Sequence, residues 1–260
     1  MINFNPVHEV LSVGPISVYS WGLMFVLGFV IAGFLFLSEA KKRKINMDFA
    51  LNILLMILLG AIIGGRLFYV LENLGYFLNH LLEIFAFGKG GETSYGGMLL
   101  GLLFVWLYCK FSKNKNKLKF SQVLDIIAPY AVLGAGIARI GCFLNWDDFG
   151  IASNLPWAIR VFGDISRHPT QLYETLYCFL IFGLLLWFRK IKETGKFTKF
   201  RKLLNKDGAL FLFFLIFYSF FRFFNDFLRI YDHYFLGLAF SQWILIILFI
   251  LSVIILGKKK

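Results

Sequence analysis

Four polar side chains interrupt one of the most apolar stretches of the chain: Tyr218, Arg222, Asp226 and Arg229. Their spacing of i, i+4, i+8 and i+11 puts them along one face of a helix. Another arginine, Arg139, lies in the run Gly134-Ala135-Gly136-Ile137-Ala138-Arg139-Ile140-Gly141-Cys142, with Asn145, Asp147, Asp148 and Gly150 just beyond it. Arg66, Tyr95, Gln171 and Glu174 complete the polar set inside or at the ends of apolar segments. An ionisable group in a membrane costs several kcal/mol and marks a functional site by default. Arginine offers a planar fork of donors suited to carboxylate or phosphate. Arg139 has no acid at i±3 or i±4, so it is expected to need an anion, and the phosphodiesters of a lipid leaflet would supply one. In the bland reading Arg222 and Asp226 neutralise one another and Arg229 snorkels to the interface. The small residues at 134, 136, 138 and 141 allow close approach of a helix or a ligand.

The elements that must position these groups are membrane helices. The chain has 260 residues, 59% of them hydrophobic and 16% charged, and a mean hydropathy of +0.72. Soluble domains run at about 45–50% apolar and about 25% charged, so a water-soluble globule, a disordered chain and a nucleic-acid binder are excluded. Seven stretches are long enough to cross the hydrocarbon core as helices: 18–38, 49–70, 95–111, 121–145, 171–188, 209–228 and 240–256. Continuous apolar runs, rather than period-2 alternation, exclude a β-barrel. The expected architecture is an all-α polytopic membrane protein, one transmembrane domain over residues 1–260, with outer-face loops at 71–94 and 146–170.

Of the 27 Lys and Arg residues, 20 fall in four clusters, Lys41–Lys44, Lys110–Lys119, Arg189–Lys206 and Lys258–Lys260. Seven crossings put all four on one side, so the positive-inside rule places the N-terminus outside and the C-terminus in the cytoplasm. The cations left over are Arg66, Lys89, Arg139, Arg160, Arg167, Arg222 and Arg229. In this topology Arg66, Arg139 and Arg222 lie in the outer halves of their helices and Tyr95, Gln171 and Glu174 at outer helix starts, which predicts a polar cavity open to the outer leaflet. Residues 1–17 lack a basic n-region, so the first span is expected to act as an uncleaved insertion signal. Residues 71–94 read as an amphipathic outer segment ending in Gly88–Gly91. Three cysteines give no disulfide framework, and Cys142 reads as a small packing residue. His8, His80, His168 and His233 have no metal-site spacing, and no cofactor motif is present.

The chain resembles the prolipoprotein diacylglyceryl transferases. Their signature, Gly-Arg-x-Gly-Asn-Phe-x-Asn-x-Glu with a further Gly three residues on, is met by Ala138-Arg139-Ile140-Gly141-Cys142-Phe143-Leu144-Asn145-Trp146-Asp147 and Gly150. Further matches follow in family order: Gly14-Pro15, Trp21-Gly22-Leu23-Met24, Gly64-Gly65-Arg66-Leu67-Phe68-Tyr69, Tyr95-Gly96-Gly97, Asp125-Ile126-Ile127-Ala128-Pro129, Arg167-His168-Pro169-Thr170-Gln171-Leu172-Tyr173-Glu174, and Tyr218 with Arg222. The resemblance implies transfer of the diacylglyceryl group of phosphatidylglycerol to the lipobox cysteine thiol of a prolipoprotein signal peptide. A thioether forms and glycerol phosphate leaves, at the outer leaflet of the bacterial cytoplasmic (inner) membrane. On this reading Arg139, Arg222, Tyr95 and Asp147 are catalytic, and Arg139, Arg66, Tyr218, Asn145, Gly96, Gly97, Gly150, Asp226 and Glu174 bind substrate. Three positions depart from the family: Tyr95 replaces His, Cys142 replaces Asn and Asp147 replaces Glu. A tyrosine near pKa 10 is a poor base where a histidine near 6.5 is a good one, so Tyr95 is expected to orient the substrate or donate to its phosphate. Asp147, Asp148 or water would then take the thiol proton. A divergent relative that binds anionic phospholipid with altered or lost transfer is the alternative. A small transporter or channel is disfavoured because the intramembrane charges gather on one side.

Overall fold

The computed structural model describes residues 2–13, 16–85, 93–112, 118–194 and 198–258. Gly14-Pro15, Lys89, the Gly88–Gly91 end of the outer segment and the lysines at 113, 115, 117, 196, 259 and 260 lie outside these residues. Seven helices are long and apolar enough to cross a bilayer: α1 Ser20–Lys42, α2 Met47–Glu72, α4 Ser94–Phe111, α5 Phe120–Asn145, α6 Thr170–Thr194, α8 Ala209–Asp226 and α9 Phe240–Lys258. Two short helices, α3 Leu74–Phe77 and α7 Thr198–Leu204, lie in connections. Large apolar side chains such as Val30, Phe34, Leu176, Phe224 and Ile247 are exposed on the long helices. Lipid is the environment that accommodates such surfaces, and the chain is a multi-pass membrane protein.

Each expected span has its helix, and the differences lie at the ends. The fifth runs on to Thr194, six residues past the expected 188, and carries Arg189, Lys190 and Lys192. Cations end a hydrophobic run but are good helix formers and complement the negative C-terminal end of the helix dipole. The described residues also contain short strands that the all-α expectation lacked. Strand β1 (Ile2–Phe4) pairs in parallel with β4 (Ile159–Val161), β2 (Glu9–Val13) pairs antiparallel with β3 (Ile16–Tyr19), and β5 (Tyr234–Phe235) pairs antiparallel with β6 (Leu238–Ala239). The β5–β6 turn has Leu236 and Gly237 at φ 50° and 78°, the paired positive φ of a tight two-residue hairpin.

The chain forms two compact units, one of residues 37–123 and one of residues 1–36 with 124–260. In the 37–123 unit, α2 starts on Asn46, whose side chain accepts the Phe49 N–H at 2.9 Å, and carries Asp48 in its first turn, a favourable charge at that end. It packs on α4 backbone to backbone. A Cβ placed on Gly60 would fall within 2.8 Å of the Leu100 main chain, and one on Gly96 would lie 2.6 Å from the Phe68 Cβ. Such contact takes the place of the hydrophobic drive that lipid removes.

The larger unit packs α1 on α5 in the same way, with a Cβ on Gly28 falling 2.6 Å from the Gly134 carbonyl oxygen. Its core is aliphatic and aromatic, with Val132, Tyr177, Ile181, Leu185 and Phe188 buried and Phe188 stacked edge-on against Phe200 and Phe213 at 5.0 Å. Helix α8 begins at Gly208, whose φ is 85° and which has no side chain to cap the helix. Asp125 of α5 does so from outside, accepting the N–H groups of Gly208 at 2.9 Å and Phe211 at 3.0 Å. This satisfies two of the helix's orphan donors and fixes α8 along α5. Thr175 of α6 donates to the Gly136 carbonyl at 3.2 Å, tying α6 to α5 beside Arg139.

Candidate functional site

Helices α5, α6 and α8 bring their charged residues to one place in the larger unit. Glu174, in the second turn of α6, is the hub. Its Oε2 receives Arg222 Nη1 and lies 3.1 Å from Arg139 Nε and 3.7 Å from Arg229 Nη1, while its Oε1 accepts the Tyr218 hydroxyl at 2.8 Å. Asp226, one turn after Arg222, meets Arg222 Nε at 2.7 Å and accepts the Ser241 hydroxyl at 2.8 Å. Asp148, beyond the end of α5, bridges two guanidinia, with Oδ2 2.8 Å from Arg139 Nη1 and Oδ1 2.5 Å from Arg229 Nη2. Charges removed from water must be paired to be tolerated, and here each guanidinium meets two carboxylates.

Arg139 therefore has acid partners, contrary to the expectation drawn from its helical neighbours. They come from α6 and from the connection after α5, where no i±3 or i±4 rule reaches. Arg229 does not snorkel: it is buried and ion-paired, and its backbone bridges to Gly150 just past the end of α8. Arg222 and Asp226 do pair, but within a wider network rather than as an isolated couple.

The connection from 146 to 150 is tightly formed. Trp146 and Asp148 have φ of 59° and 60°, an uncommon conformation for such residues. The Asp148 carbonyl accepts the Thr170 hydroxyl at 2.6 Å and the Asp147 carbonyl accepts the Gln171 amide. Gly150 N–H donates to the His168 carbonyl at 2.9 Å, and a Cβ at Gly150 would lie 2.8 Å from the His168 Cβ and the Thr170 Cγ2. Burial opposes the charge on Asp148, yet the Arg229 and Arg139 guanidinia outweigh it and hold the carboxyl below its ordinary value.

The other expected residues sit as follows. Asn145 is hydrogen-bonded to His8 Nδ1 at 2.9 Å and donates to Asp147, so the acid of the signature faces its own neighbour while Asp148 faces the arginines. Cys142 is buried with its Sγ 3.7 Å from Arg139 Nη1. Arg66, Tyr95, Gly96 and Gly97 belong to the other unit. There Arg66 is buried, donates from Nε to the Ile84 carbonyl at 3.0 Å and from Nη2 to the Glu83 carbonyl, and lies over the Tyr69 and Phe77 rings at 5.6 and 5.4 Å. Tyr95 is exposed in the first turn of α4, and Gly96 and Gly97 are buried against α2. Sequence reasoning passed over Asp148 as a partner of Arg139 and left Arg229 out of the site. The stripe spacing signalled Arg229, whereas nothing local distinguished Asp148 from Asp147.

Beside the cluster, an apolar cavity of about 600 Å³ is lined by Trp157, His168, Leu172, Tyr173, Leu176 and Leu228 among others. The Tyr173 hydroxyl accepts Trp157 Nε1–H at 2.8 Å and lies 3.1 Å from His168 Nδ1. Burial lowers the His168 pKa from its ordinary 6.5.

Residues 8–257 match the family model described as prolipoprotein diacylglyceryl transferase. The chain belongs to the prolipoprotein diacylglyceryl transferase family. Among its relatives are the phosphatidylglycerol--prolipoprotein diacylglyceryl transferases of Streptococcus pyogenes serotype M5 (strain Manfredo) and serotype M49 (strain NZ131). Each is 34% identical over 264 residues, spanning 98% of this chain and 95% of the relative. In this member of the prolipoprotein diacylglyceryl transferase family, three guanidinia meet at the Glu174 carboxylate.

Proposed function

We propose that this chain transfers the diacylglyceryl group of phosphatidylglycerol to the cysteine thiol of a prolipoprotein lipobox. The full-length membership in the transferase family carries this reading, and the three guanidinia converging on Glu174 support it. In the reaction the acceptor thiol loses its proton, its sulfur forms a C–S bond to the glyceryl carbon, and the C–O bond to phosphate breaks. The electron pair goes to the phosphate oxygen, so glycerol phosphate leaves with one more negative charge than the diester carried. Arg139 and Arg222 stabilise that charge together with Arg229, the third guanidinium at Glu174, because cations already in place require no reorganisation as it develops.

Tyr218 and Glu174 orient Arg222, and Asp226 holds it from the other side. Asp147 takes the thiol proton, and Asn145 positions Asp147. Gly150 lets the 146–150 connection close against His168. Tyr95, Gly96, Gly97 and Arg66 are the substrate-binding candidates of the 37–123 unit, where Tyr95 is exposed and offers a hydroxyl donor. Lipid and signal peptide both arrive laterally in the cytoplasmic membrane. The Lys-rich clusters argue for an N-out, C-in topology with the site toward the outer leaflet.

The test uses purified protein in phosphatidylglycerol-containing micelles with a lipobox peptide, following glycerol phosphate release and peptide lipidation. Arg139→Ala is expected to lower turnover by roughly 100- to 1,000-fold, as loss of one transition-state donor does, with insertion and accumulation retained. Lipid binding without transfer by the wild type would instead assign the chain to the altered relative that Tyr95 and Cys142 raise. Loss of accumulation in Arg139→Ala would show that the Arg139 ion pairs with Glu174 and Asp148 serve folding rather than transfer.

A further inference from the structure

The charged cluster is closed on itself. Arg139, Arg222 and Arg229 face Asp148, Glu174 and Asp226, three cations against three anions. An incoming phosphodiester gains guanidinia here only if a carboxylate gives them up, because an extra buried anion without partners is strongly disfavoured.

The three carboxylates differ in their freedom to leave. The side chains of Glu174 and Asp226 are 2% and 0% exposed. Both project from helices, and each accepts a hydroxyl as well, from Tyr218 and Ser241 respectively. Asp148 lies outside the helices and its side chain is 42% exposed. Among the described residues its carboxylate meets Arg139 and Arg229, one oxygen to each. Its main chain is held by Thr170, and Gly150 nearby by His168, so the carboxylate can leave by side-chain rotation while the backbone stays. Two oxygens of one group spanning two guanidinia is also the geometry available to the two non-bridging oxygens of a phosphodiester.

We infer that the Asp148 carboxylate is a built-in stand-in for a phosphate monoanion, seated between Arg139 and Arg229 and displaced by the phosphate group of the substrate. The identification of that phosphate as a lipid head group rests on the transferase reading. The seat itself would take a lipid phosphodiester or a free phosphate alike. In the empty site the stand-in keeps two buried cations neutralised. After the reaction it competes with glycerol phosphate for the same donors and so hastens product release.

The experiment compares full-length wild type, Asp148→Asn and Asp148→Glu in neutral detergent micelles. Each is titrated separately with inorganic phosphate and with phosphatidylglycerol, following the thermal unfolding midpoint. Asp148→Asn is expected to bind both probes roughly tenfold more tightly, the equivalent of about 1.4 kcal/mol, while Asp148→Glu, which keeps the competing charge, gains nothing. In the transfer assay the KM for phosphatidylglycerol and the inhibition constant of glycerol phosphate fall together in Asp148→Asn without a rise in kcat, the pattern of uniformly tighter binding. Unchanged or weaker phosphate binding by a folded Asp148→Asn protein overturns the proposal and leaves the transferase reading to the wild-type assay. Tighter phosphate binding with no binding of phosphatidylglycerol by any of the three proteins keeps the seat and removes the lipid as its occupant. A wild-type measurement decides the matter if Asp148→Asn does not fold. Labelling by a water-soluble carbodiimide, mapped by mass spectrometry, should increase at Asp148 when phosphatidylglycerol is added, and constant or reduced labelling overturns the displacement.

Discussion

Arg66 and Arg139 are both arginines in apolar helices, one in each unit, and their described neighbours differ in kind. Arg66 donates to main-chain carbonyls of the Leu81–Phe85 turn and lies over two aromatic rings. Arg139 faces carboxylates of Glu174 and Asp148. The carboxylates around Arg139 cancel its charge and are themselves replaceable by another anion. Packing follows the same division only in part. Helices α2 and α4 meet through glycine backbones, a contact that cannot open without losing its van der Waals surface. Helices α6 and α8 meet through aromatic side chains and a charge network, while α5 meets α1 and α6 through Gly134 and Gly136. Unit 37–123 thus holds its helix pair by close backbone contact, and the larger unit gathers six charged groups at one place.

The contrast breaks most severely at Glu174. Glu174→Gln leaves Arg139, Arg222 and Arg229 short of their shared anion, and breaking a buried pair costs about 3–5 kcal/mol. The variant is expected to lose both stability and transfer, read by thermal unfolding in micelles and by glycerol phosphate release. Gly96→Val attacks the other unit. Its side chain would meet Phe68 and the Gly64 backbone, and overpacking of this kind costs about 1–3 kcal/mol, seen as a lower unfolding midpoint. A variant as stable as wild type would show that α2 and α4 can separate without loss. Tyr95→Phe is expected to lower turnover roughly tenfold, about the worth of one hydrogen bond to a charged group, with no change in stability. Unchanged turnover removes the hydroxyl from the reaction.

The smallest effect concerns acid. The Asp148 carboxyl is held below its ordinary 3.8 in the folded protein, so its stabilisation is fully present above that value and lost as pH falls through the lower folded value. Wild type should therefore lose more stability between neutral pH and the acid side of 3.8 than Asp148→Asn does, in unfolding midpoints measured across a pH series. Parallel curves would mean that Asp148 titrates as it does in the unfolded chain.

Much of this was legible in the sequence because membrane helices announce themselves by length and hydropathy. All seven spans were, and so was the stripe from Tyr218 to Arg229. Pairings between distant segments were not. Ile2 pairs with Ile159, and even the local Tyr234–Ala239 hairpin was hidden because its strands are too short to show alternation. Asp147 and Asp148 differ by one position, and no local spacing rule says that Asp148, in a connection with positive φ at Trp146 and Asp148, is the one that faces Arg139. The capping role of Asp125 was likewise invisible, since the helix it caps begins at Gly208, 83 residues later.

That separation gives the protein a timetable. At about 5–20 residues per second of synthesis, the 83 residues from Asp125 to Gly208 take roughly 4–17 s, during which the carboxylate has no α8 to cap. Arg139 emerges next, and its partner Glu174 follows on the succeeding span. Arg222 and Asp226 then arrive together, one turn apart on a single helix and able to pair with one another before Arg222 reaches Glu174. The order in which the charges are made offers each a partner of opposite sign from its own or the adjoining span, and it leaves the join between α5 and α8 as a late step of assembly.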